Sequence, residues 1–137
     1  MSLRVTEDVV NAACDAAVGL IDEGVAGKIE FYTGTRPANV TDAPGETLLA
    51  EVDFQDPAFG DAANGEATAN GLPLETTGLD DGDIGWARIV DGNDNPLWDD
   101  DDVGTDSENN ITLNTLTVSS GVNFEVTEYD FSVNDET

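Results

Sequence analysis

Residues 122–133 read VNFEVTEYDFSV. Val122, Phe124 and Val126 alternate with polar neighbours at even positions, whereas Tyr129, Phe131 and Val133 continue the alternation at odd ones. A strand turns every second side chain to one face, so this change of parity needs one extra residue. A β-bulge near Thr127 and Glu128, or a bend between two strands, restores a single inward face. The stretch therefore predicts extended chain with one apolar side, the local signature of a half-buried sheet.

The same period of two continues upstream. Residues 110–118, NITLNTLTV, read as a strand, with Ser119-Ser120-Gly121 as the turn that follows. In IGWARIV, residues 84–90, Ile84, Trp86, Arg88 and Val90 alternate with Gly85, Ala87 and Ile89. Asp91-Gly92-Asn93-Asp94 then turns the chain into a short strand around Leu97 and Trp98, a hairpin signal. TLLAEVDF places Leu48, Ala50, Val52 and Phe54 on one side, KIEFYT pairs Ile29 with Phe31, and GEATAN offers Ala67 and Ala69. About seven short strands with Gly, Asp and Pro turns predict a mainly β fold, an antiparallel β-sandwich of jelly-roll or immunoglobulin-like kind.

One segment departs from this period. Residues 6–23, TEDVVNAACDAAVGLIDE, carry Val10, Ala13, Cys14, Ala17, Leu20 and Ile21 at helical spacing. Thr6 is the expected N-cap, Glu7 and Asp8 suit the positive end of the dipole, and Gly24 is the expected terminator. The chain thus divides into an N-terminal helix, 1–24, and a sandwich, 25–137, within one domain. An isolated helix of this length is marginal, so the stripe reads as an assembly interface. A chain without residues 1–24 is then expected to fold but not to assemble. The closing Asn-Asp-Glu-Thr reads as a frayed end.

Charge narrows the partners. Thirty acids face four bases, Arg4, Lys28, Arg36 and Arg88, with no histidine, for a net charge of −26 over 137 residues. Self-repulsion on this scale destabilises a compact state unless salt screens it. Plentiful Asp and Glu, scarce Lys and apolar positions rich in Ala, Val and Gly resemble proteins of salt-loving organisms, haloarchaea above all. Single, separated bases argue against direct nucleic-acid binding and against anionic membranes. No apolar run approaches the ~20 residues of a membrane span. The start, MSLRVTEDVV, lacks the apolar core of a signal peptide, and the single cysteine, Cys14, allows no internal disulfide.

The candidate metal site is the run Asp99, Asp100, Asp101 and Asp102, since Ca²⁺ takes six to eight oxygen ligands. It does not match the EF-hand loop, and a hydrated acidic loop is the competing reading. No other cofactor is implied. Cys14 lies on the helix stripe as a packing residue, no nucleophile–histidine pairing exists, and no carboxylate pair sits in a catalytic motif, so an enzyme is not expected. Trp86 and Trp98 are candidates for stacking a sugar, although Trp86 shares a strand face with Ile84 and Val90 and reads first as a core residue. Arg88, a lone base on an apolar strand face, implies either a carboxylate partner or an intermolecular contact.

The stretches NAACDAAVGLIDEG, GKIEFYTGTRPANV, ETLLAEVDFQDPAFGDAANGEATANG and GWARIVDGNDNPLWD, in this order over residues 11–99 and with the likeness continuing to about residue 133, resemble a family of small virion proteins of tailed bacteriophages and archaeal viruses. The resemblance implies a capsid-associated β-sandwich, a decoration or minor capsid protein made in the host cytoplasm and carried on the virion. Its partners would be the major capsid protein and further copies of itself. A tail or baseplate component, or a surface module that binds a glycan or receptor, are the alternatives. The family lends no catalytic residue, and the acidity of this chain departs from it, as a halophilic host would require.

Overall fold

The computed structural model describes residues 3–133. Helix α1 (Glu7–Gly19) continues as a single 3₁₀ turn, Leu20–Asp22. Thr6 caps it, its hydroxyl accepting from the Val9 N–H at 3.4 Å. Gly24, at φ +84°, takes the left-handed conformation that releases the chain into the sheet.

Eleven strands follow among the described residues. They are β1 (Lys28–Tyr32), β2 (Leu48–Asp53), β3 (Ala67–Thr68), β4 (Leu74–Thr77), β5 (Gly82–Asp83) and β6 (Trp86–Val90). After these come β7 (Pro96–Asp100), β8 (Val103–Gly104), β9 (Ile111–Leu113), β10 (Thr117–Val118) and β11 (Asn123–Phe131). One sheet has the order β2-β1-β6-β7. The facing sheet is built on β11, which pairs with β3 and β4 along one edge and with β9 along the other, β8 lying outside β9. Strands β5 and β10 form a separate two-stranded pair. The protein is a β-sandwich preceded by one helix.

The expected inward faces of β1 and β2 fill the space between the sheets, joined from β6 by the Ala87 and Ile89 face rather than by the expected face of Trp86 and Val90. Ile29 and Phe31 of β1, Val52 and Ala50 of β2, and Ile89 and Ala87 of β6 are register partners and are buried. Opposite them lie Phe124, Val126 and Tyr129. The Phe31 and Phe124 rings meet edge to face at 5.2 Å, and Phe59 and Tyr129 do so at 5.1 Å. The bulge anticipated at Thr127 is present: the β11–β9 register shifts between Val126 and Glu128, which keeps both Val126 and Tyr129 inside.

Several expectations are corrected. Val122 and Val133 are 56% and 48% exposed, so the inward alternation runs only from Phe124 to Phe131. Residues 110–118 form two strands, because Thr115 Oγ1 accepts from the Thr117 N–H and donates to the Thr117 carbonyl. That local turn competes with ladder pairing, and β10 leaves to pair with β5. The sheets are not purely antiparallel, since β8 runs parallel to β9. Strand β6 is buried on both sides rather than one. The four closing residues, read as frayed, lie outside the described residues.

The helix does not stand apart from the sandwich. Cys14, Val18 and Ile21 are buried, and Val18 and Ile21 belong to the same core as both sheets. Three side chains fasten the helix to the backbone of the loop before β3. Asn11 accepts from Gly65 N–H at 2.8 Å, Asp15 from Ala62 at 2.7 Å and Asp22 from Ala58 at 2.9 Å. Residues of 1–24 and of 25–137 therefore share one core, and the helix is part of the folding unit.

Candidate functional site

The acidic run lies at the edge of the sandwich, where β7 leaves the first sheet. Alternation along β7 separates its carboxylates. Asp99 is on the outer face opposite Arg88, and Asp100 is on the inner face opposite Ala87. Arg88 Nε donates to Asp99 Oδ1 at 2.7 Å and Nη2 to Oδ2 at 3.1 Å, a bidentate pair with side chains only 5% and 3% exposed. The question posed by Arg88 is answered by this intramolecular partner. Its Nη1 also donates to the Asp42 carbonyl at 2.8 Å, and the guanidinium lies 5.3 Å from the Trp86 ring centre.

The remaining carboxylates have other partners. Asp100 accepts from the Asp102 N–H and from Asn110 Nδ2. Asp102 accepts from Asn109 Nδ2 at 2.8 Å and from the Asn110 N–H. Asp101 pairs with Arg36 at 3.4 Å, and Arg36 Nη1 also donates to the Asp99 carbonyl. The candidate metal set Asp99, Asp100, Asp101 and Asp102 is thus dispersed over two faces of a strand and the turn after it. Among the described residues no group of three or more His, Cys, Asp or Glu side chains converges. The hydrated-loop reading is also corrected: Asp99 is buried and Asp100 and Asp102 are half-buried, each holding neighbouring chain in place.

These contacts explain where the scarce bases go. The long connection from β1 to β2, residues 33–47, lies over the outer face of β6 and β7, held by Arg88 on Asp42 and by Arg36 on Asp99 and Asp101. Gly85 permits the approach, since a Cβ there would collide with the Gly34 carbonyl. Lys28 bridges Glu51 at 3.2 Å and Asp94 at 3.9 Å. Each of these three bases closes a loop or a sheet edge of this chain.

A cleft of about 630 Å³ opens beside the run, bordered by Arg36, Trp98, Asp100, Asp130 and Phe131. Trp98 Nε1 donates to the Tyr129 hydroxyl at 2.9 Å, and its ring packs on Phe131 at 4.5 Å. Trp86, the other candidate for sugar stacking, is fully buried, stacked on Tyr32 at 4.8 Å with its N–H on the Thr33 carbonyl. No sugar can reach its face without unfolding the loop above it.

The proposed interface stripe divides. Cys14 and Ile21 are completely buried in the chain's own core, Cys14 Sγ donating to the Gly65 carbonyl at 3.4 Å. Val10 and Ala17 are half-buried, while Ala13 and Leu20 face outward. Cys14, Ile21, Val10 and Ala17 are therefore internal packing, because the loop before β3 closes over that side of the helix. The exposed apolar side is instead Val9, Ala13, Ala16 and Leu20, a spacing present in the sequence but masked by the stronger stripe beside it. Comparison with protein-family models, with curated proteins and with solved structures finds no match.

Burial sets the response to pH. Burial pushes the Asp100 carboxyl above its ordinary range, against the hydrogen bonds from Asp102 and Asn110. Burial also raises Glu30, against the hydrogen bond from Tyr32, and raises Glu66. A carboxyl raised in the folded state disfavours folding once ionised, so stability falls as pH climbs through the window just above about 4. Asp91 has the opposite sign: hydrogen bonds from Asn95 and Asn93 lower it, so its contribution persists until the pH falls below the ordinary range. Mild acidification also reduces the net charge. In low salt the melting temperature is expected to rise from pH 7 to pH ~5 and to rise again on addition of molar salt, where the Debye length is ~3 Å. Thermal melts over a pH and salt grid test this; flat curves would remove self-repulsion as the dominant instability.

Proposed function

We propose that this chain is a structural protein of a virus particle, a capsid-associated decoration or minor capsid protein of a tailed virus with a haloarchaeal host. It works by assembly contacts in concentrated salt and carries no catalytic role. The observation that carries this reading is the distribution of charge and apolar surface. Of nine large apolar residues left exposed among the described residues, five (Leu3, Val5, Val9, Leu20 and Val25) lie in the first 25 positions, on and beside the helix. Elsewhere carboxylates dominate the surface, and Lys28, Arg36 and Arg88 are engaged within the chain. A surface acidic nearly everywhere but apolar along one helix suits contact between proteins rather than turnover of a small substrate. The resemblance to small virion proteins supplies the kind of assembly.

Quantitative mass spectrometry of purified particles tests the proposal. The expected result is a copy number comparable with that of the shell subunit. A handful of copies per particle would move the chain to the tail or baseplate. Absence from washed particles would end the virion reading.

A further inference from the structure

The cleft of about 630 Å³ opens at the edge of the sandwich, between the end of β7 and the end of β11. Trp98 and Asp100 stand on the inner face of β7, opposite Ile89 and Ala87 of β6, and Phe131 is the last residue of β11. The volume falls within the roughly 300–1,000 Å³ of small-ligand sites and suits a mono- or disaccharide. Its walls are fixed in advance. Trp98 is tied to the second sheet by its bond to the Tyr129 hydroxyl. Asp100 is held by the Asp102 N–H at 2.8 Å and by Asn110 at 3.2 Å, and Arg36 lies on Asp101.

Acids alone would make this no more than a negative patch, but the walls carry two further components. Trp98 and Phe131 pack ring on ring and both remain half-buried at the cleft. The indole N–H is committed to Tyr129, so Trp98 offers the cleft its carbon ring. An aromatic face is negative and attracts the weakly positive C–H groups on one side of a pyranose. The walls also combine both hydrogen-bonding roles, Arg36 as donor and Asp100, Asp101 and Asp130 as acceptors. A carboxylate has about four acceptor sites, and the bonds from Thr68 to Asp130 and from Asp102 and Asn110 to Asp100 leave part of that capacity for a ligand. A sugar hydroxyl donates and accepts at once, so it uses donors and acceptors set side by side. We propose that this cleft binds a neutral sugar, a pyranose ring lying against Trp98 with its hydroxyls shared between Arg36 and the carboxylates of Asp100, Asp101 and Asp130.

Charge selects among sugars and against other small ligands. Carboxylates outnumber the single guanidinium, so uronic and sulfated sugars are repelled. A small organic cation matches the sign, but a net charge of −26 calls for concentrated salt. Molar salt shortens the reach of that attraction to ~3 Å and supplies competing cations. Ring stacking and hydrogen bonds to hydroxyls do not depend on ionic strength in this way. Burial already raises the Asp100 carboxyl, so hydroxyl donors that replace its lost water are favourable there. The inference is independent of the virion reading, since it is tested on the free chain and each can fail without the other.

Nuclear magnetic resonance of the isotope-labelled full chain in molar KCl tests it, with the methyl glycosides of glucose, galactose and mannose as probes. At least one is expected to give saturable shifts of the Trp98 indole N–H and of the Asp100, Asp101 and Asp130 amides, while the Trp86 indole stays still. Methyl glucuronide is expected to bind at least about tenfold more weakly than the best neutral glycoside. Trp98→Leu is expected to weaken that glycoside at least about tenfold. Because this change also removes the bond to Tyr129, Asp101→Asn, on an exposed side chain, serves as the second variant and is expected to weaken binding about threefold with an unchanged melting curve. No saturable shift with any of the three glycosides up to about 100 mM overturns the proposal, as do shifts that map away from the cleft. Glucuronide binding as tight as that of the neutral sugars also overturns it. Saturation by tetramethylammonium chloride without any response to the glycosides would make the cleft an organic-cation site and overturn the sugar assignment.

Discussion

Replacing Arg88 with methionine is expected to destabilise the fold by about 3–5 kcal/mol, the range found when one partner of a buried ion pair is removed. Asp99 would remain beneath the 33–47 loop with its bidentate partner gone and Glu30 as a cross-strand neighbour of the lost base. The loop would also lose the contact from Arg88 to the Asp42 carbonyl. For a domain of this size the loss corresponds to about 10–20 °C in melting temperature. Salt does little to screen so buried a pair, so the loss is expected to persist in molar KCl. Lys28→Met, which breaks a bridge whose side chains are 30% and 33% exposed, is expected to cost no more than about 1 kcal/mol. Joint replacement of Arg88 by Met and Asp99 by Leu is expected to recover most of the stability, since the unpaired charge is then gone. Denaturant titrations of the four proteins check the ranking; equal losses for Arg88→Met and Lys28→Met would show that burial does not set the cost.

Removal of residues 1–24 is expected to abolish cooperative folding even in molar salt. Burial of Val18 and Ile21 is worth about 1.5–3 kcal/mol each. Their loss wets the core residues beneath them and frees the loop held by Asn11, Asp15 and Asp22. Set against a total stability of about 5–15 kcal/mol, few domains survive such a change. Ile21→Ala, which keeps the helix in place, is expected to cost about 2–5 kcal/mol. Near-ultraviolet circular dichroism and amide dispersion report the outcome. A truncated chain that melts sharply within a few degrees of the parent would return the helix to a purely intermolecular role.

Much of the framework was legible because it depends on the order of apolar residues along single strands. Thr6 as cap, Gly24 as terminator, the inward residues of β1 and β2 and the bulge at Thr127 all express local period and turn chemistry. Strands β4, β5 and β8 were not legible, since two residues cannot display a period and Leu-Glu-Thr-Thr offers a single apolar position. Strand β6 misled for a related reason. Alternation assigns residues to two faces, but does not say that a loop of 15 residues returns to bury the second one.

The candidate site shows the same boundary more sharply. Asp99 to Asp102 are adjacent in sequence, and adjacency suggested convergence. On a strand, adjacent side chains point to opposite sides, so their partners differ: Arg88, 11 positions away, holds Asp99, Arg36 on the loop over the sheet holds Asp101, and Asn109 and Asn110 hold Asp100 and Asp102. Likewise the helix displays two neighbouring apolar stripes, and only the loop before β3 decides which of them is core.

The sequence by itself determined the fold class, the helix, the alternating faces and the electrostatic burden of −26, because these follow from composition and from periods of two and 3.6 residues. The tertiary structure alone decided which carboxylates are buried, which bases hold them and which helix face stays open. Those outcomes depend on contacts between segments distant along the chain, and no local pattern records them.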